Sequence, residues 1–246
     1  MSSATGANDA AHGSRVTPAT SNSASTSASA VRSLSLVALK AGLLHVADLP
    51  HGPFAVDDQG GTNPGGVFTA RHSVVSDEPP IGGPFGAITD ADSQSCARLL
   101  NAIGYGGNAP AADAWAEIDM VGPGNTSSVV ETVASYPQGV AAKVVSGVAT
   151  AGSVCRAVSS KRANGTTISE PKLLTVPKLG DSSAGMQWFA SGATGALGNV
   201  LAVVQVGNSV IQIQGALLSS TGASKFDRTV LDQAMVKGVA RLRAAS

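Results

Sequence analysis

Cys96 and Cys155 are the only two cysteines in the chain, and each falls on the apolar face of a stretch with helical periodicity. After Asp92, a capping residue type, Cys96, Leu99, Leu100 and Ile103 share one face of a helix through SQSCARLLNAI. From Pro137, which a first helical turn tolerates, Val140, Val144, Val148, Ala151 and Cys155 recur every three or four residues. Both thiols therefore point to the core. No histidine or acidic cluster accompanies them, so a disulfide stapling two helices is the leading reading, with buried free thiols second and a redox or metal role third. A bond closing a loop of about 58 residues would contribute roughly 4 kcal/mol by restricting the unfolded chain. A stable disulfide also implies an oxidising compartment outside the cytoplasm.

Aromatic residues make up only 4% of the chain, so its core must be aliphatic, with the two Trp and five Phe as local anchors. The strongest strand signal is NVLAVVQVGNSVIQIQ, Asn199 to Gln214. Gly207-Asn208 sits between two alternating runs and supplies a two-residue turn, because both residue types tolerate positive φ. On the second run Val210, Gln212 and Gln214 alternate with Ile211 and Ile213, which predicts one polar face. Pro171–Val176 and Met186–Ser191 read as strands separated by KLGDSS. Trp115–Val121 and Ser128–Tyr136 read as two more, joined by a turn at 122–125, and Val67–Val75 as an edge strand between turn-rich segments. Leu36, Leu39, Leu43 and Leu44 mark a short helix that DLPHGPF, Asp48 to Phe54, terminates. Phe226–Arg243 is amphipathic, with Leu231, Met235, Val239 and Leu242 inward and Arg228, Asp232 and Arg243 outward. Together these predict an α+β fold, an antiparallel sheet flanked by helices, over residues 34–246. Residues 1–33, rich in Ser, Thr and Ala, read as a disordered tail.

The formal net charge is zero but unevenly spread. Residues 1–136 carry 5 basic and 12 acidic side chains, and residues 137–246 carry 11 and 4. Opposite halves attracting within one domain is the expectation. The basic residues are scattered without aromatic interleaving, which argues against a nucleic-acid surface. No run approaches the ~20 apolar residues that span a bilayer. No secretory leader is visible either, so an exported protein expects its leader or anchor upstream, and the alternative is a cytoplasmic one.

Candidate chemistry is sparse. Gly180-Asp181-Ser182 matches the start of a lipase-esterase motif by letter, but all four histidines (His12, His45, His51, His72) precede residue 73, so a turn between strands is expected. His45, Asp48 and His51 straddle a helix end and a proline turn, and no metal site is expected from them. Glu117 and Asp119 alternate on one strand and read as a solvated face. GYGGN, residues 104–108, follows a helix rather than a strand and fails the phosphate-loop context, so no cofactor is expected. Trp188 and Phe189 are adjacent on a strand and point to opposite faces. One of them, with Trp115 and Tyr136, is the expected ligand wall.

The order DLPHGPF, CARLL, VVETVASYPQG opening a Cys-bearing helix, LTVPKLGDSSAG, VQVGNSVIQIQG and a basic closing helix resembles the PknH-like extracellular sensor domain of actinobacteria. That family occurs on mycobacterial receptor kinases and as stand-alone exported lipoproteins, and the resemblance spans residues 34–243. It implies an antiparallel sheet flanked by helices, with a cleft for an unidentified ligand, and Cys96 and Cys155 match its pair bridging two helices. The chain departs from the kinase-linked members in lacking their second disulfide and their membrane helix. The functional expectation is a non-enzymatic extracellular or cell-surface sensor that binds a small ligand or a cell-envelope component. An envelope scaffold without a pocket is the alternative, and a hydrolase with an unrecognised site the third reading.

Overall fold

The computed structural model describes residues 33–50, 69–76, 90–91, 94–103, 110–122, 127–156, 158–159, 167–168, 171–192, 195–219 and 226–246. The Ser/Thr/Ala-rich stretch 1–32, His51 and the glycine-rich 104–108 lie outside them. Helix α1 (Leu36–Ala41) is followed by a single 3-10 turn, Val46–Asp48. The next elements are β1 (Thr69–Ser76), β2 (Asp90–Ala91), α2 (Gln94–Ile103), β3 (Ala114–Val121), β4 (Ser127–Ser135) and α3 (Val140–Val154). Two-residue strands β5 (Val158–Ser159), β6 (Thr167–Ile168) and β7 (Lys172–Leu173) precede the long strands β8 (Ser182–Gly192), β9 (Gly195–Val206) and β10 (Ser209–Ser219). Helix α4 (Arg228–Ala245) closes the chain.

Six long strands in the order β1-β3-β4-β10-β9-β8 form the body of one antiparallel sheet, which β6, β5 and β2 extend as two-residue pairings. The fold is thus α+β, with helices on both faces of the sheet. Strand alternation sends each residue to the face its parity dictates. Ala116, Ile118, Met120, Val129, Val133, Val200, Ala202, Val204, Ile211 and Ile213 pack under α1 and α4. Ala134, Ala184, Met186, Trp188, Leu201, Val203 and Val210 pack under α2 and α3. The inward residues read from α4 (Leu231, Met235, Val239 and Leu242) are all buried.

The predicted hairpin is present: Gly207 adopts φ of 60°, and Ser209 pairs with Val206. A β-branched residue resists that left-handed conformation by about 1–2 kcal/mol. Gly207→Val is therefore expected to lower stability by roughly that much in urea titration, and an unchanged midpoint would contradict the assignment. Of the edge strand read for residues 67–75, the described part lies in β1 (Thr69–Ser76), which among the described strands ends the sheet and pairs with β3.

Other boundaries differ for local reasons. Helix α3 starts at Val140, because Gly139 sits at φ of 80° and Pro137 to Gly139 form a turn ahead of it. Segment 171–176 contributes only β7, and Leu174, Val176 and Leu179 then cross the α4 face of the sheet as a strap. Leu36 is 37% exposed, because α1 ends at Ala41 and Leu43 and Leu44 bury themselves beyond its end. Gln212 is buried, so the second hairpin strand has no wet face at that position.

One buried residue breaks the apolar pattern. Glu131 lies on β4 between Val129 and Val133, facing α4, with no exposed surface. Its Oε2 accepts the Leu44 backbone N–H, just beyond the end of α1. Its Oε1 has no hydrogen-bond partner among the described residues and lies where Gly238 of α4 leaves room: a Cβ there would come within 2.7 Å. Just outside, Arg241 of α4 pairs with Asp48, and Gln233 Nε2 donates to the Asp48 carbonyl at 2.9 Å. That pair joins the acidic first half of the sequence to the basic second half. Burial pulls the Asp48 carboxyl up, but the Arg241 hydrogen bond, the His45 N–H and the positive charges beside it together hold it below its ordinary value.

Candidate functional site

On the α4 face, where β8 and β9 run under the start of α4, the structure holds a cavity of about 190 Å³. Its floor is Gln187 and Phe189 of β8 and Gly198, Asn199 and Val200 of β9. Leu174 of the strap closes one side, and Phe226, Arg228 and Leu231 of the α4 start form the roof. The space follows from small residues in the sheet. Gly198 presents no side chain, and on β10 the Phe226 ring lies so close over Gly215 that a Cβ there would approach it to 2.7 Å. Phe226 therefore lies against the sheet and becomes wall rather than filler.

Polar bonds fix the roof. Asp227 caps α4 by accepting the Thr229 N–H at 2.8 Å. Arg228 Nε donates to Asp232 at 2.8 Å, one helical turn on, and its Nη2 donates to the Thr175 carbonyl of the strap. Ser183 Oγ donates to the Pro177 carbonyl at 2.8 Å and ties the strap to β8. Among the described residues the wall is thus mostly apolar, with one guanidinium and the Gln187 amide, the composition of a small-molecule site.

The sheet divides the expected aromatic wall. Trp188 and Tyr136 are 2% and 3% exposed, and with the half-buried Trp115 they belong to the core under α2 and α3. Phe189 alone of the four lines the cavity on the other side. Residues 188 and 189 are neighbours on one strand, so the same alternation that predicted opposite faces separates them. Cys96 and Cys155 are joined in a disulfide with Cα atoms 5.3 Å apart, tying α2 to the C-terminal end of α3.

The remaining motifs have structural roles. Asp181 Oδ2 accepts the Gly207 N–H at 2.7 Å and Ser182 Oγ donates to Gln205 at 2.9 Å, so Gly180-Asp181-Ser182 braces the hairpin turn. His45 donates its backbone N–H to Asp48 at 2.7 Å, and Asp48 holds Arg241. Glu117 is half-buried rather than solvated and accepts the Thr132 hydroxyl at 2.8 Å on the face opposite α4. Among the described residues, no group of three or more His, Cys, Asp or Glu is placed to hold a metal. Again among the described residues, no helix is long and apolar enough to cross a membrane.

Of the four aromatics named from the sequence only Phe189 lines this cavity, and Leu174, Phe226 and Arg228 were not among them. Phe226 carried a usable signal, since it immediately precedes a capping aspartate and packs as a large residue at a helix entry.

No known protein family matches the chain, and no curated protein matches it. Solved structures do. One is the extracellular domain of PknH from Mycobacterium tuberculosis, with a TM-score of 0.54 and 14% identity over 87% of this chain and 98% of that one. Another is a putative uncharacterized protein from Mycobacterium smegmatis, with a TM-score of 0.40 and 14% identity over 70% and 89% of the two chains. At this identity the likeness to the first is one of fold.

Proposed function

We propose that the chain is a non-enzymatic sensor-like domain that works outside the cytoplasm and binds a small ligand in the cavity under α4. The cavity carries this reading: a half-open, mostly apolar space of about 190 Å³ with a bonded guanidinium on its roof has the make-up of a small-molecule site. The fold shared with an extracellular domain supports the location, and a disulfide fits an oxidising compartment. The bonds that Asp181 and Ser182 make to the hairpin turn argue against the hydrolase reading. For the scaffold alternative, the exposed apolar side chains Val37, Val154, Leu173 and Val236 are the ones a partner would cover.

A neutral ring is the simplest probe, since an apolar cavity of roughly 150 Å³ accommodates benzene. In benzene-saturated buffer, the methyl NMR signals of Leu174, Val200 and Leu231 are expected to shift. Val200→Phe, which places a ring in the same space, is expected to abolish the shifts while keeping the protein folded. Unmoved methyl signals in the wild type, or shifts that persist in the filled variant, would overturn the reading.

A further inference from the structure

We infer that the cavity under α4 selects a small monocarboxylate, a single-ring or short-chain acid whose carboxylate meets Arg228 and Gln187 while its apolar body lies against Leu174, Val200, Phe226 and Leu231. This rests on the cavity being a ligand site and adds the chemistry of the ligand. Size sets the first limit. A space of about 190 Å³ exceeds the roughly 150 Å³ that takes benzene by about one small polar group. It is well short of the roughly 300 Å³ at which drug-sized pockets begin.

Charge sets the second limit. Among the described residues that line the cavity, Arg228 is the one charged side chain. A guanidinium carries five N–H donors in a planar fork. Arg228 gives one to Asp232 and one to the Thr175 carbonyl, which leaves three. Those two bonds run to α4 and to the strap, so the fork is held in place before a ligand arrives, and little side-chain freedom is lost on binding. Planar forks match carboxylates in a bidentate manner. Gln187, half-buried on the floor, adds amide donors for the same group. The Arg228–Asp232 pair is neutral as a whole, so the attraction for a carboxylate comes from the guanidinium's remaining N–H donors, and each further negative charge on a ligand adds repulsion from Asp232. A phosphate or sulfate dianion is disfavoured over a monocarboxylate on that count, and a cationic ligand would find no acceptor on the fork.

The experiment compares benzoate with its neutral isostere benzamide by NMR titration of the whole chain at fixed low salt. Benzoate is expected to bind about 10-fold more tightly than benzamide. Arg228→Gln should bring benzoate down to the benzamide level and leave benzamide within about twofold. Arg228→Lys, which keeps the charge and loses the fork, should fall between. Should Arg228→Gln not fold, Gln187→Leu provides the second variant, with benzoate expected to lose about threefold and benzamide less. Equal affinities in the wild type, or a benzoate affinity indifferent to Arg228, would overturn the inference while the benzene result stands. If benzene, benzamide and benzoate all fail to bind, the cavity reading itself falls.

Discussion

Replacing Cys96 with serine is expected to lower the thermal midpoint by roughly 10 °C. The bond joins residues 59 apart in sequence, and closing a loop of that size restricts the unfolded chain by about 4 kcal/mol. A domain of this size shifts by about 2–4 °C per kcal/mol. The effect is concentrated on α2, which meets the rest of the described fold mainly through α3 and the short strand β2. Both sulfurs are buried, Cys96 at 2% and Cys155 at 4% exposure, so a lone Cys155 thiol would remain in the core as a small hydrophobe. The paired variant Cys96→Ala with Cys155→Ala should melt at a similar temperature, and reductant should bring the wild type to meet them. On protein alkylated rapidly from its native source, neither thiol should react before reduction. An unshifted midpoint in oxidising buffer would show that the bond adds nothing.

Glu131 gives the second large effect, and its sign is opposite to that of an ordinary carboxylate. Complete burial pushes its carboxyl up to about 8 from an ordinary 4.5. The Leu44 N–H and the Arg241 charge pull it down, and the Asp48 charge pushes it up. Between about pH 4.5 and about pH 8 the folded protein therefore keeps a proton that the unfolded chain has already released. Stability attached to this group is fully present below the unfolded value and is lost as pH rises through the folded one. At pH 7 the loss is on the order of 3 kcal/mol. Glu131→Gln keeps the shape, still offers an oxygen to Leu44, and removes the ionisation. In urea titrations it should match the wild type near pH 5 and exceed it clearly at pH 8, with a flatter pH profile. Parallel profiles for the two proteins would mean that Glu131 ionises without penalty.

The elements visible in the sequence were those whose signal is local. The β9–β10 hairpin needs only alternation and a Gly-Asn turn, and the inward face of α4 needs only a period of 3.6. The cysteines showed their burial through the same helical spacing. The cavity could not be read in that way, because Leu174, Gly198 and Phe226 come from segments brought together only by sheet order. Arg228 is outward as its helical position says, with its side chain 40% exposed, but its bond to Thr175, 53 positions away, leaves no trace in the local sequence. Glu131 lay in between. Its parity with Val129 and Val133 already placed a carboxyl on the inward face, and weight given to alternation over polarity would have found it. The polar reading of Gln212 failed for the converse reason: a buried neighbouring strand residue, Thr132, sits directly across from it.

Ser33 and Ser246 line the same depression beside the hairpin turn, so the described fold begins and finishes at one spot, with α1 lying against α4. Helix α1 is not held by α4 alone: it also packs on β3, and the Leu34 and Leu44 N–H groups on either side of it donate to Ser135 and Glu131 of β4. A pull across those two points is therefore passed into the middle of the sheet through β4 instead of being carried by the two helices by themselves.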